Sequence, residues 1–162
     1  AEPEYNLWLR THVYDQKNSD RKAVGIKIRL GDLPSGKALA LADLIPDHAA
    51  DDIRITVQQG LLLREVHPNA LPHLYQALKS IDLADPGFNT ILDITACPGT
   101  DTCNLGVTNS TAVSHEIESY LAQKHPQLAE NKDIQIKISG CMNSCGQHMA
   151  AQIGLQIGRA HV

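Results

Sequence analysis

The four cysteines of this 162-residue chain occur as two pairs. Cys97 and Cys103 are separated by five residues, Cys141 and Cys145 by three, and 37 residues lie between the pairs. Each pair follows a short apolar run and lies among small and polar residues, in "ILDITACPGTDTCNLG" and "KISGCMNSCGQHMAAQIG". We therefore expect all four thiols on loops at strand ends, where they can act as ligands of a metal centre.

The spacing favours one kind of metal centre. Structural zinc sites usually contain C-x2-C to C-x4-C units, so the three-residue spacing is compatible with zinc and the five-residue spacing is a poor match. Neither pair is the C-x-x-C of thioredoxin-like redox proteins. No signal peptide is visible, so metal or redox chemistry is expected before structural disulfides. A four-thiolate iron–sulfur cluster fits better, because each iron takes one thiolate and glycine-rich loops can direct backbone N–H groups at its sulfides.

Composition argues against several other classes of protein. Hydrophobic residues make up 43% of the chain and charged residues 20%, which is ordinary for a soluble globular protein. The formal net charge of −4 gives no electrostatic case for binding nucleic acid or an anionic membrane. No apolar run approaches the ~20 residues of a membrane-spanning helix.

The first half of the chain shows a β-α-β-β-α order over residues 23–83. Period-two alternation predicts a strand in "AVGIKIRLG" and a second in "DIRITVQQG", and "LLLREV" is interpreted as a short third strand. Between the first two, "LPSGKALALADLIPDH" predicts a helix with Ser35 as a possible N-cap, with Leu39, Ala42 and Ile45 on its apolar stripe and Pro46 as its end. A second helix, with Asn69 as its cap, follows in "HPNALPHLYQALKSIDL". This order is most of a ferredoxin-like split βαβ unit.

The cysteine region has a different order of elements. We predict a strand at 91–95, a loop at 96–109, a helix at about 110–124 capped by Asn109 or Ser110, and a strand at 134–139. The second cysteine loop follows, and then a strand at 151–156. The fold class is therefore α+β.

"TACPGTDTCNLG" and "ISGCMNSCGQHMAAQIGLQ" resemble the two cluster motifs of the sirohaem-dependent nitrite and sulfite reductases. "VGIKIRLGDLPSGKALALADL", "IRITVQQGLLLREV" and "LPHLYQALKSIDLADPG" resemble the ferredoxin-like repeat that precedes the cluster domain in that family. The resemblance extends to about Gln156 and concerns the second half of the longer, two-fold repeated enzyme.

The resemblance implies a role for each motif residue. Cys97, Cys103, Cys141 and Cys145 would bind a [4Fe–4S] cluster, and Cys145 would also bridge to the iron of sirohaem. Asn143 would contact a sirohaem carboxylate, Gln59 would face the macrocycle, and Ala96 would offer its backbone to it.

The resemblance also implies a domain division. Residues 1–85 would form the ferredoxin-like repeat and 86–156 the start of an α+β domain for the cluster and sirohaem. The last six residues, "IGRAHV" at 157–162, are interpreted as a non-native read-through tail. The cations that bind substrate and most sirohaem carboxylates belong to the family's first half, so we expect the chain alone to be inactive.

As a whole enzyme, the family member would reduce nitrite to ammonia or sulfite to sulfide with six electrons. The segment "NSCGQ" favours the nitrite-reducing branch. The chain shows no G-x-G-x-x-G nucleotide fingerprint, so ferredoxin or a flavoprotein is the expected electron donor. The expected location is the cytoplasm, or the plastid in a eukaryote. Two alternatives stay open: a stand-alone iron–sulfur electron-transfer protein and a zinc-stabilised binding module.

Overall fold

The computed structural model describes residues 2–17, 19–49 and 53–156. The chain divides into two compact units, Ala1–Asn89 and Thr90–Val162. The proposed tail at 157–162 lies outside the described residues.

The first unit contains a four-stranded antiparallel sheet and three helices. In chain order the elements are α1 (Glu2–His12), β1 (Val13–Asp15), β2 (Lys22–Ile26), α2 (Ser35–His48), β3 (Ile53–Ile55), β4 (Leu61–Val66) and α3 (Leu71–Ser80). The strand order is β1-β2-β4-β3, so β4 lies between the two strands that α2 connects. This arrangement confirms the predicted ferredoxin-like split βαβ unit.

The fourth strand of this sheet comes from a segment for which the sequence predicted no element. β1 pairs with the outer edge of β2, from Val13 opposite Val24 to Asp15 opposite Lys22. It has only three residues, too few for an alternating pattern to be recognised. It directly follows α1, whose Trp8 is fully buried in the core of this unit.

The core of the first unit lies between the sheet and its helices. Its members are apolar side chains with little or no solvent exposure: Trp8, Val24, Ile26, Ile28, Leu41, Ile45, Leu63, Val66, Leu71, Leu74, Tyr75, Leu78 and Leu83. Most come from β2, β4 and the apolar stripe of α3. The predicted apolar residues Val24, Ile26 and Ile28 and the stripe of α3 are buried as expected, whereas the buried residues of β4 lie three positions apart.

Helix α2 differs from its prediction at both ends and on its face. Ser35 is the first helical residue rather than the cap, and the side chain of the preceding Pro34 forms no capping hydrogen bond. The helix continues past Pro46 to His48, although Pro46 has no N–H to donate to the preceding turn. Leu39 is 68% exposed, whereas Leu41 and Ile45 are buried. In a run that alternates Ala and Leu, the predicted stripe was wrong at Leu39 and correct at Ile45.

β3 is an edge strand of three residues, and Ile53 and Ile55 are both exposed on it. One other local prediction in this unit was wrong. Before α3, the side chain of His67 accepts a hydrogen bond from the N–H of Asn69 and caps a short 3-10 turn, so Asn69 is not the cap.

The second unit contains a three-stranded parallel sheet and one long helix. Its elements are β5 (Thr95–Ala96), α4 (Ser110–Lys124), β6 (Ile136–Ser139) and β7 (Ile153–Gln156). The strand order is β5-β6-β7, with Ala96 opposite Ile138 and Ile138 opposite Leu155. α4 begins as predicted, since the Asn109 side chain accepts from the N–H of Ala112. β5 is shorter than the predicted strand at 91–95.

We predict that Gly25→Ala destabilises the first unit. A Cβ at Gly25, in the middle of β2, would lie 2.2 Å from the buried Phe88 ring, so the ring or the strand must move. Such overpacking costs about 1–3 kcal/mol. Urea unfolding followed by the fluorescence of Trp8, the single tryptophan, would measure the free energy of unfolding.

Gly36→Ala is the matched control for this substitution. A Cβ at Gly36, in the first turn of α2, meets nothing within 4 Å, so we expect no loss and a gain of up to about 1 kcal/mol. Equal stability of the two variants would contradict the packing argument.

Candidate metal centre

The two cysteine loops begin at the same edge of the second sheet. Cys97 directly follows β5, and Cys141 follows β6 after a single glycine, Gly140. Because β5 and β6 are parallel neighbours, their carboxyl ends lie side by side. The sheet therefore brings the first cysteine of each pair to one edge of the unit.

Three hydrogen bonds connect the two loops at this edge. The N–H of Cys97 donates to the carbonyl of Ile138 at 3.1 Å, which extends the β5–β6 ladder by one residue. The N–H of Gly140 donates to Cys97 Sγ at 3.1 Å. The N–H of Val107 donates to the carbonyl of Gly140 at 3.0 Å. The first loop is thus fixed to the start of the second loop by backbone donors.

Glycine is required where these loops pack against each other. Gly99 has φ +57°, and a Cβ there would lie 2.2 Å from the carbonyl oxygen of Thr108. A Cβ on Gly140 would lie 2.8 Å from the same oxygen. The backbone segments around Thr108 therefore approach more closely than any side chain permits.

The thiol of Cys97 is the best supported of the four. The Ser110 hydroxyl, at the start of α4, donates to the Cys97 carbonyl at 2.6 Å and lies 3.5 Å from its Sγ. Partial burial of Cys97 opposes ionisation. The contacts with Ser110 and with the backbone N–H groups of Gly140 and Gly99 outweigh burial and lower the pKa of the thiol below its ordinary value. The contacts with Ser110 and with the two backbone N–H groups favour the thiolate, which is the metal-binding form.

The other three cysteines are less enclosed. Cys141 is half-buried, and Cys103 and Cys145 are exposed. All four are free thiols, so no disulfide competes for them. Within the part of the chain that the structure describes, no group of three or more histidine, cysteine, aspartate or glutamate side chains is close enough to hold a single metal ion.

This arrangement fits the chemistry of a cluster in part. Four free thiols on two loops, with a backbone N–H directed at one sulfur, are the donors that an iron–sulfur cluster uses. A single tetrahedral ion needs all its sulfurs within ~2.3 Å of one point, whereas a cluster distributes them over four irons. The described geometry does not gather the sulfurs, so the assignment of all four as ligands stays a prediction.

The other predicted site residues lie in both units. Ala96 is buried in β5, where its backbone pairs with Ile138. Asn143 is exposed in the second cysteine loop. Gln59 belongs to the first unit and lies in the β3–β4 turn with φ +65°, where its N–H donates to the carbonyl of Thr56. Their predicted contacts with a macrocycle stay predictions.

The structure adds a cation that sequence reasoning missed. Lys137 is only 4% exposed, and its Nζ donates to Oε1 of Gln147 in the second cysteine loop at 2.9 Å. The sequence contains no Lys or Arg within either cysteine pair. Lys137 alternates with Ile136 and Ile138, so the sequence pattern already indicated that the lysine lies on the opposite face of β6.

Comparisons with known proteins agree with this architecture. Residues 14–81 match the family described as "Nitrite/Sulfite reductase ferredoxin-like half domain". The assimilatory ferredoxin-dependent nitrite reductase of Haloferax mediterranei is 32% identical over 147 residues, 89% of this chain and 25% of that protein. The sulfite reductase [NADPH] hemoprotein beta-component of Vibrio cholerae is 32% identical over 139 residues, 82% of this chain and 23% of that protein.

A solved structure is similar over both units. The Mycobacterium tuberculosis NirA protein matches 93% of this chain and 28% of its own length, with a TM-score of 0.72 and 27% identity. The chain belongs to the nitrite and sulfite reductase family. It spans about a quarter of the length of the relatives it matches.

In the part of the chain that the structure describes, no helix is long and apolar enough to cross a lipid bilayer.

We predict that Cys97 in the folded chain reacts with an alkylating reagent at lower pH than in the urea-unfolded chain. The thiolate is the reactive form, and the folded structure lowers the thiol pKa. Peptide-level mass spectrometry across a pH series gives the half-maximal pH in each state. By linkage, the shift stabilises the folded chain above the ordinary thiol pKa, and this stabilisation disappears as pH falls through the lowered pKa. A folded-state midpoint at or above the unfolded one would contradict the effect of these contacts.

Proposed function

We propose that this chain is part of a sirohaem-dependent oxidoreductase that reduces nitrite to ammonia or sulfite to sulfide with six electrons. The observation that carries the proposal is the placement of two cysteine loops at the carboxyl ends of neighbouring parallel strands, in a chain that also contains a ferredoxin-like unit. The relatives with this combination are named as nitrite and sulfite reductases.

In this proposal Cys97, Cys103, Cys141 and Cys145 bind a [4Fe–4S] cluster. The chain's own contribution is to hold the two cysteine loops together and to donate a hydrogen bond to a ligand sulfur. The N–H of Gly140 donates in this way to Cys97 Sγ. Hydrogen bonds to cluster sulfurs favour the reduced state, so this donor would help to set the reduction potential.

Sirohaem is the second proposed cofactor. Cys145 would bridge the cluster and the sirohaem iron, Asn143 would bind a carboxylate of the macrocycle, and Gln59 and the backbone of Ala96 would face it. When bound, the two cofactors supply the one-electron transfers that reduce the substrate atom. The role of these residues is to bind and orient the macrocycle.

Nitrite is the substrate that the sequence favours, through "NSCGQ" in the second loop. The relatives include both nitrite and sulfite reductases. Several are named as ferredoxin enzymes and three as NADPH enzymes, which supports ferredoxin or a flavoprotein as the donor. We place the protein in the cytoplasm, or in the plastid if the source is eukaryotic, as for the chloroplastic relative of Zea mays.

The cluster assignment predicts that Cys97→Ser, Cys103→Ser and Cys141→Ser each lose most of the bound iron. A serine oxygen is a poor ligand for the soft iron–sulfide site. Iron and sulfide would be measured per chain after anaerobic reconstitution of the full 162-residue protein. The visible spectrum separates the alternatives, since a cluster gives a broad brown absorption and zinc gives none.

Met142→Leu is the matched control, because it removes an exposed sulfur from the second loop without removing a proposed ligand. We expect this variant to retain its iron. Cys145→Ser should in addition alter the absorption of bound sirohaem. Unchanged iron in all three of the first variants would rule out the cluster.

We also predict that the chain alone, loaded with both cofactors, reduces neither nitrite nor sulfite with a reduced viologen. Sirohaem carries several carboxylates and the substrate is an anion, so the site needs several cations. The chain contains no Lys or Arg within either cysteine pair, and the cation described at the second loop, Lys137, bonds to Gln147. The full-length Haloferax mediterranei enzyme is the positive control. Sustained production of ammonia or sulfide by the chain would show that its own cations suffice.

A further inference from the structure

One face of β6 carries polar side chains although the strand is fully buried. Lys137 and Ser139 alternate with Ile136 and Ile138, and all four are buried. Buried polar side chains require partners, because unpaired ones are costly. The partners of Lys137 and Ser139 all come from the second cysteine loop.

Ser139 is connected to the residues on both sides of Cys145, to one directly and to the other through His148. Its Oγ accepts a hydrogen bond from the N–H of Gly146 at 3.1 Å and lies 2.9 Å from Nδ1 of His148. The same His148 nitrogen is 3.1 Å from Oγ of Ser144. Gly146 is therefore held directly by Ser139, and Ser144 is held through His148.

The backbone around Cys145 depends on these contacts. Ser144 and Gln147 both have left-handed backbone angles, with φ near +59° and +56°, which cost free energy in residues other than glycine. A Cβ on Gly146 would lie 2.0 Å from the carbonyl oxygen of Ile138, so the loop lies directly on β6. The bond from Lys137 to Gln147 holds the far side of the same turn.

We propose that Ser139, together with His148, is a positioning residue for the thiolate of Cys145. It holds the peptide N–H of Gly146 directly and the side chain of Ser144 through His148, and so determines where the sulfur between them is presented. This inference rests on the proposed function, which makes Cys145 a ligand. It concerns the geometry of the loop and requires no change in protonation.

The test compares Ser139→Ala and His148→Ala with Ser114→Ala, which removes another buried serine hydroxyl from the same unit. In the full chain without cofactors, hydrogen exchange at the Gly146 amide should become roughly three- to tenfold faster in Ser139→Ala, as expected for one lost hydrogen bond. It should stay at the wild-type rate in Ser114→Ala.

After reconstitution, the same variants are challenged with an iron chelator. Ser139→Ala should lose iron about tenfold faster than wild type, which is typical when a residue that orients a metal ligand is removed. His148→Ala should lose iron faster by a smaller factor. The electron paramagnetic resonance spectrum of the reduced cluster should change in Ser139→Ala and not in Ser114→Ala, because only the former alters the presentation of a ligand.

Each outcome has a separate meaning. A wild-type chain that takes up no cluster would overturn the proposed function and this inference with it. A normal cluster with normal iron release in both Ser139→Ala and His148→Ala would overturn the positioning role and leave the proposed function standing. The same iron loss and spectral change in Ser114→Ala would also overturn it, because the effect would then be a general loosening of the unit.

Discussion

The parallel pairing of β5 with β6 is the interaction on which the candidate site depends. Ala96 lies opposite Ile138, and the ladder continues into the hydrogen bond from the Cys97 N–H to the Ile138 carbonyl. This pairing brings Gly140 within 3.1 Å of Cys97 Sγ, so a strand contact becomes a contact between the two cysteine loops. The pairing of Ala96 with Ile138 therefore determines how the two cysteine loops are placed relative to each other, although 37 residues separate the cysteine pairs in the sequence.

The two loops are stabilised in different ways. The first is held by close backbone packing around Gly99 and Thr108, and by Ser110 at the beginning of α4. The second is held mainly by side chains of β6, with Ser139 under the Cys145 turn and Lys137 bonded to Gln147. A backbone network tolerates few substitutions at its glycines, whereas a side-chain network can be varied one residue at a time.

The sequence predicted the order of elements well because strong periodic patterns filled the core. The apolar positions of β2 and the stripe on α3 correspond to buried side chains. The failures have local causes: Leu39 belongs to a run of Ala and Leu without a unique stripe, and His67 rather than Asn69 caps the turn before α3. For the site, spacing identified the four cysteines, but the roles of Lys137 and Ser139 depend on how the loop folds back onto β6. That tertiary contact is not encoded in any local pattern.

The crossover between β5 and β6 also bears on the order of folding. Thr95 pairs with Lys137, so forming this ladder closes a loop of about forty residues and incurs its loop-closure entropy. By contrast, the β1–β2 pair joins residues close together in the chain, with Asp15 opposite Lys22. Pairing between distant residues is intrinsically slow, because its loop-closure entropy must be overcome first. We therefore expect the two cysteine loops to meet late in folding, so that a metal centre bound there would select chains whose second unit is already complete.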